Sequence, residues 1–160
     1  MVLEVKNPRH QESDANGWVA LTADAPWPVG ERIFHIRDMA LSAAAAEAET
    51  AEISLPTKSI PVHLRFGMEE ANGTVTDGVM RYHETWEGAA HGTGDTEPTP
   101  ANGDTNGSEA VPRTTADANQ WGEVFYPAHK FKVRGTSLAG TKTTIEFRAV
   151  VRLQEPYTPE

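Results

Sequence analysis

The strongest constraint on the fold is a segment near the C-terminal end in which apolar and polar residues alternate. Over residues 143–153, one set of alternate positions is occupied by Ile145, Phe147, Ala149, Val151 and Leu153. The positions between them hold Thr144, Glu146, Arg148, Val150 and Arg152. Side chains on a strand point alternately to opposite faces. This period of two therefore predicts a strand with one face on a core and the other toward water.

Shorter segments with the same character recur along the chain and predict further strands. They fall at residues 18–22, 32–37, 51–55, 62–66, 74–84, 123–126 and 130–134. The Asn-Gly pair at residues 72–73 predicts a tight hairpin turn, and Gly78 marks a bulge. The glycine-bounded residues 135–140 predict a turn that joins the last two strands into a second hairpin. We therefore expect an all-β fold, an antiparallel β-sandwich or barrel of about seven to eight strands.

Residues 38–50 form the one segment that predicts a helix. Asp38 can cap its first turn, and residues 43–46 are all alanine, the strongest helix former. The segment has little apolar bulk to bury. We therefore expect at most one short helix, lying on the surface.

The length of 160 residues fits a single β domain that spans residues 1–160. Residues 88–120 break the strand pattern, because they are rich in Gly, Pro, Asp, Asn and Thr and contain almost no large apolar side chain. Such a stretch cannot bury enough surface to offset the entropy cost of ordering it, so we expect a long mobile loop or arm. Residues 154–160, with two prolines, predict an extended tail.

Composition excludes several kinds of chemistry. The chain has no cysteine, so disulfides, zinc–thiolate sites and cysteine nucleophiles are excluded. Its formal charge is -9, and residues 87–123 hold seven acids against one arginine, a net charge of −6. This acidic balance argues against direct nucleic-acid binding. The N-terminal residues do not predict a signal peptide, and no apolar run is long enough to span a membrane, so we expect a cytoplasmic or virion location.

Residues 129–153 are the exception to this acidic balance, with six basic residues against one acid, a net charge of +5. If they form one hairpin, its solvated face could dock an acidic partner subunit. The residues that would carry this contact are Lys130, Lys132, Arg134, Arg148 and Arg152. A solvated face without a partner is the simpler interpretation.

Four tryptophans offer a second kind of interaction site. Trp18 and Trp121 adjoin predicted strands and are expected at the core or its edge. Trp27 lies between prolines, and Trp86 lies beside the polar stretch, so both are candidates for exposed rings that bind a sugar or a partner protein. The alternative is that they close the end of the sandwich.

The densest group of metal-ligand types comprises His83, Glu84, Glu87 and His91. Histidine with carboxylates can hold a transition metal, but this spacing matches no known ligand motif. We therefore expect no metal, no cofactor and no catalytic residues, and leave a small metal-dependent enzyme as a third alternative.

Taken together, these features favour a structural or assembly protein that packs into a larger repeating assembly. The most concrete form is a phage virion component, such as a head-decoration (cement) or tail protein. Its expected partners are copies of itself or another structural subunit, without nucleic acid, membrane or a small-molecule ligand. A carbohydrate- or protein-binding β-sandwich module is the leading alternative.

Overall fold

The structure is a computed structural model that describes residues 2–7, 17–22, 24, 27, 31–42, 47–72, 75–84, 110–114, 121–141 and 143–155. Within these ranges the chain forms eleven strands and no helix. The strands are β1 (Val2–Lys6), β2 (Val19–Ala20), β3 (Ile33–Ser42), β4 (Ala48–Glu49), β5 (Ile53–Ser54), β6 (Ile60–Asn72), β7 (Val75–Glu84), β8 (Ala110–Thr114), β9 (Gly122–Phe125), β10 (Lys130–Gly140) and β11 (Thr144–Gln154).

The strands form two antiparallel sheets. A six-stranded sheet has the order β2-β1-β3-β11-β6-β9, and a five-stranded sheet has the order β4-β10-β7-β8, with β5 also paired to β10. The prediction of an all-β antiparallel fold is confirmed, and of the two alternatives, sandwich or barrel, the two sheets are consistent with the sandwich. The number of strands is larger than expected by three, because β1, β4 and β8 lie in segments for which no strand was predicted.

The core lies between the two sheets and draws large side chains from both. The alternation in β11 is confirmed: its odd-numbered residues from Ile145 to Leu153 are buried. Phe34 and Phe66 of the six-stranded sheet join one hydrophobic cluster with Tyr82 and Phe131 of the five-stranded sheet. Each such side chain contributes roughly 1.5–3 kcal/mol when it is fully removed from water.

A two-stranded ribbon bends from one sheet to the other at a corner. Asn72 pairs with Thr144 in the six-stranded sheet, and Val75 pairs with Gly140 in the five-stranded sheet. The ribbon of β6 and β11 therefore continues as the ribbon of β7 and β10 around a corner of the sandwich. Register shifts cluster at this corner, as expected where strands switch sheets.

Both predicted hairpins are wrong for this reason. β6 and β7 belong to different sheets, and so do β10 and β11. A strand, a short link and a second strand look the same in sequence at a hairpin and at a corner. The difference is set by pairing with strands distant in the chain, which the local pattern does not contain.

The predicted turn at residues 135–140 is also wrong, because β10 continues to Gly140. Two residues of β10 stand opposite Gly78 of β7, since Thr136 pairs with Val79 and Ala139 pairs with Asp77. This confirms the predicted bulge. Gly78 has a φ of 152°, a backbone conformation that favours glycine.

The prediction of at most one short helix is consistent with the described residues, but the segment 38–50 that was expected to supply it forms strands instead. Residues 38–42 lie in β3, which is paired on both sides by β1 and β11, and Ala48–Glu49 forms β4. Asp38 is fully buried, and one of its carboxylate oxygens accepts a hydrogen bond from the Ala51 N–H at 2.8 Å. Tertiary pairing outweighs the helix propensity of alanine here. The alanine run at 43–46 lies outside the described residues.

Part of the stretch predicted as a loop is a strand. Ala110–Thr114 forms β8, which pairs with β7 at the margin of the five-stranded sheet. Pro112 is compatible with this position, since an edge strand needs backbone donors on one side only. Residues 85–109 and 115–120, and the tail at 156–160, lie outside the described residues.

Candidate functional site

The site begins with β9, the terminal strand of the six-stranded sheet. Gly122 and Val124 face the core, while Glu123 and Phe125 face outward. β9 pairs with β6 alone among the described strands, so its other edge carries backbone groups without a described strand partner. Such an edge can pair with a further strand from another chain.

Exposed apolar side chains concentrate at this end of the sheet. Of six large hydrophobic residues exposed in the described ranges, four belong to β9, its flanks or the first residue of β6. Phe125 is 69% exposed, Tyr126 is 74% exposed, and Trp121 and Ile60 are also exposed. We call Ile60, Trp121, Phe125 and Tyr126 the aromatic edge. The remaining two, Val2 and Val19, lie on the opposite margin of the sheet.

Trp121 is held against the backbone of β6. A Cβ added at Gly67 would lie 3.0 Å from Cε3 of the indole, so the ring packs so closely on Gly67 that a side chain there would require the ring to move. The Arg65 guanidinium lies 5.8 Å from the ring centroid. Trp121 is therefore fixed in place while 37% of its surface stays exposed. It was predicted at the core or its edge and lies on the outer face.

Phe125 is fixed by its cross-strand neighbour. Its ring stacks on His63, with 5.0 Å between ring centroids and an interplanar angle of 25°. Glu123, between the two aromatic residues, pairs with Arg65 at 3.0 Å and lies 3.7 Å from Nε2 of His63. The aromatic edge is therefore supported by a row of polar contacts on β6.

A pocket of about 530 Å³ opens beside the aromatic edge, on the outer face of the sheet. Its walls come from the start of β3, the end of β11, the start of β6 and Tyr126. The lining residues are Arg32, Ile33, Val62, Tyr126, Arg152, Leu153 and Gln154. Tyr126 belongs to both features, because its backbone N–H donates to the Val62 carbonyl at 3.1 Å.

The basic residues predicted to form one docking face are divided between the two sheets. Lys130, Lys132 and Arg134 lie on β10 of the five-stranded sheet, whereas Arg148 and Arg152 lie on β11 of the six-stranded sheet. The following charge pairs involve them: Lys132 with Glu49 at 2.6 Å, Arg134 with Glu47 at 2.7 Å, and Arg148 with Glu146 at 2.7 Å.

The Trp27 side chain is half-buried rather than fully exposed. Its ring meets Phe34 edge-on at 4.9 Å between centroids, and its Nε1–H donates to the Ser54 carbonyl at 2.8 Å. This arrangement resembles the alternative in which a tryptophan closes the sandwich. Trp86 lies outside the described residues.

The predicted metal-ligand group is only partly described. His83 and Glu84 are neighbours on β7 and therefore point to opposite sides of the strand, and Glu87 and His91 lie outside the described residues. Within the described residues, no group of three or more His, Asp or Glu side chains is placed to hold a metal ion.

The sequence holds a signal for the aromatic edge in two neighbouring residues. Phe125 and Tyr126 are adjacent, and two adjacent residues of a strand cannot both face the core. At least one large ring had to lie outside. The pocket left no comparable signal, because its lining comes from segments far apart in the chain.

Comparisons with known protein families, with characterised proteins and with solved structures give no match to this chain. A functional assignment therefore depends on the geometry of the described residues. None of these residues forms a helix long and apolar enough to cross a membrane.

Proposed function

We propose that this protein is a non-enzymatic assembly subunit that packs against copies of itself or another structural subunit through the aromatic edge. The observation that carries the proposal is the concentration of exposed apolar side chains around β9. Single exposed hydrophobic residues are ordinary on a protein surface, but several exposed aromatic residues grouped at one edge of a sheet are a common feature of interaction sites.

The residue types also fit an interface. Trp, Tyr and Arg are enriched among residues that dominate binding energy, and aromatic side chains gain most when a partner covers them. Trp121 and Phe125 are already held in place by Gly67 and His63, so little side-chain entropy would be lost on binding. Among the described strands β9 pairs only with β6, so strand pairing with a partner is a further option at its other edge.

The most concrete form of this proposal is a phage virion component, either a head-decoration (cement) protein or a tail protein. Its support is the sequence: a polar, acidic stretch at residues 87–123 and a proline-containing terminus, both typical of segments that order on assembly.

One observation favours a second candidate, a carbohydrate-binding module. The Trp121 ring is fixed and partly exposed beside Arg65 and Glu123, and exposed aromatic faces with polar neighbours stack on sugar rings. Quenching of tryptophan fluorescence by a sugar, lost in Trp121→Phe, is the outcome that distinguishes this candidate.

The assembly proposal is tested by light scattering over a sizing column across a wide concentration range. The matched variants are Phe125→Lys on β9 and Val19→Lys on β2, both exposed residues on edge strands where lysine opposes strand pairing. We expect the mass to grow with concentration for the wild-type chain and for Val19→Lys, and to stay at one chain for Phe125→Lys. A strict monomer at every concentration would contradict self-assembly, and loss of association in Val19→Lys alone would place the contact elsewhere.

A further inference from the structure

The pocket beside the aromatic edge is shaped by two backbone irregularities. Arg152 pairs with His63 and Leu153 pairs with Pro61, so Val62 is an extra residue that bulges from β6 into the pocket wall. Tyr126 has a φ of 53°, the left-handed region that a residue with a side chain rarely adopts. Bulges and strained residues concentrate at binding sites, where they aim side chains that regular strands would direct elsewhere.

The arginines at this pocket are less closely paired with carboxylates than the other arginines on the outer face of the six-stranded sheet. Three of the arginines on that face are each paired closely with a carboxylate. The pairs are Arg37 with Glu4, Arg65 with Glu123 and Arg148 with Glu146, with N–O distances of 2.7, 3.0 and 2.7 Å. Arg152, by contrast, has no carboxylate partner within the described part of the chain.

Arg32 supplies a second guanidinium at the same pocket. Its contact with Glu155 is 3.6 Å long, and both side chains are more than half exposed, so the pair is loose and accessible to solvent. Ile33 and Val62 provide apolar wall between the arginines and Tyr126. The pocket therefore combines two accessible guanidinium groups, an apolar wall and an exposed aromatic ring.

We propose that this pocket binds a carboxylate side chain on an extended acidic segment of the partner protein, with Arg152 as the principal contact and Arg32 as the second. The inference rests on the proposed function, because it specifies the chemistry of the partner. A guanidinium matches a carboxylate with two parallel hydrogen bonds, and the apolar wall accepts the aliphatic part of the acidic residue. The volume lies within the range of about 300–1,000 Å³ that ligand sites occupy.

The occupant is a protein segment because the pocket is continuous with the aromatic edge. Tyr126 lines the pocket and is one of the exposed aromatic residues beside β9. An extended segment that runs along β9 and then crosses over Tyr126 and the start of β6 can therefore place an acidic side chain against Arg152. This combination gives strand pairing for affinity and a charged pocket for specificity.

The probe for the test is a blocked hexapeptide of alternating valine and glutamate, compared with the analogue that has glutamine in place of glutamate. Each peptide is titrated into the full-length ¹⁵N-labelled chain, and binding is followed by NMR. The variants are Arg152→Gln and Arg148→Gln, which lie on the same face of β11 and differ in that Arg148 already has a carboxylate partner. Unchanged amide spectra away from the substitution establish that both variants fold.

We expect the glutamate peptide to shift the signals of Tyr126 and Arg152 in a saturable way, and the glutamine peptide to bind more weakly. Arg152→Gln should weaken binding of the glutamate peptide roughly tenfold, the size of a lost charge-assisted hydrogen bond. Arg148→Gln should change it by less than about twofold. The absence of saturable binding, equal binding of both peptides, or an equal loss in Arg148→Gln would each overturn the inference.

The outcomes also separate this inference from the proposed function. Self-association that is abolished by Phe125→Lys, together with no peptide effect of Arg152→Gln, would retain the assembly surface and reject the carboxylate pocket. Peptide binding that depends on Arg152 in a chain that never associates would retain the pocket and reject self-assembly.

Discussion

Replacing Tyr82 with phenylalanine should destabilise the fold through one hydrogen bond. Tyr82 is fully buried against Phe131, with 5.3 Å between the ring centroids. Its hydroxyl oxygen accepts the Ala128 N–H at 2.7 Å and donates to Oε1 of Glu84 at 3.4 Å. Burial raises the pKa of Tyr82 well above its ordinary value, although the hydrogen bond from the Ala128 N–H opposes the shift, so the phenol is neutral at neutral pH.

The size of the loss in stability is set by the Ala128 N–H, which loses its hydrogen-bond acceptor. Tyr82→Phe removes the acceptor of the Ala128 N–H, and a donor left unsatisfied in a protein interior costs about 1–3 kcal/mol. The contact with Glu84 is long and adds little. We therefore expect the free energy of unfolding to fall by about 1–3 kcal/mol, which corresponds to roughly 2–4 °C in melting temperature per kcal/mol for a chain of this size.

Urea denaturation followed by far-ultraviolet circular dichroism measures this change, and the matched control is Tyr126→Phe. Tyr126 is exposed, so the same loss of a hydroxyl should change stability by less than about 0.5 kcal/mol. The midpoint should fall for Tyr82→Phe while the slope with denaturant stays constant. Equal stability of Tyr82→Phe and the wild-type chain would refute the account of this contact.

Two further substitutions test other parts of the structure. Burial raises the pKa of Asp38, although the hydrogen bond from the Ala51 N–H opposes the shift. The folded state therefore holds the proton of Asp38 more tightly than the unfolded state. The stability that results is complete below the pKa of Asp38 in the unfolded state, and it is lost as pH rises through the pKa in the folded state. As pH rises from 4 to 7, the wild-type chain should therefore lose stability relative to Asp38→Asn, which does not titrate at this position. Urea midpoints measure the difference, and a difference that does not change with pH would contradict this. Gly67→Ala should displace Trp121, because the new Cβ would lie 3.0 Å from its ring, and should shift tryptophan emission to longer wavelength. An emission shift that persists in a Trp121→Phe background would show that another tryptophan had moved.

The sequence was sufficient to predict the strands whose environment is uniform along their length. β11 has one face on the core and one toward water throughout, so its alternation is complete. The bulge at Gly78 was predictable for a similar reason, since a glycine inside a strand marks a departure from regular pairing. These features depend on local chemistry alone.

Features that depend on distant partners could not be predicted in the same way. Residues 38–42 favour a helix in isolation, but β11 pairs along this segment and β1 pairs with its first two residues. The corner at Asn72 and Gly140 has the sequence of hairpin turns, but its geometry is fixed by the pairing of two ribbons. The pocket is assembled from β3, β6, β11 and Tyr126, which are adjacent only after folding.

Amide hydrogen exchange at low and high protein concentration shows whether the aromatic edge is an assembly surface. The peptide containing β9, residues 122–125, should become more protected as concentration rises, while the peptide containing β2 should not. Unchanged exchange in β9 under conditions where the mass increases would contradict the claim.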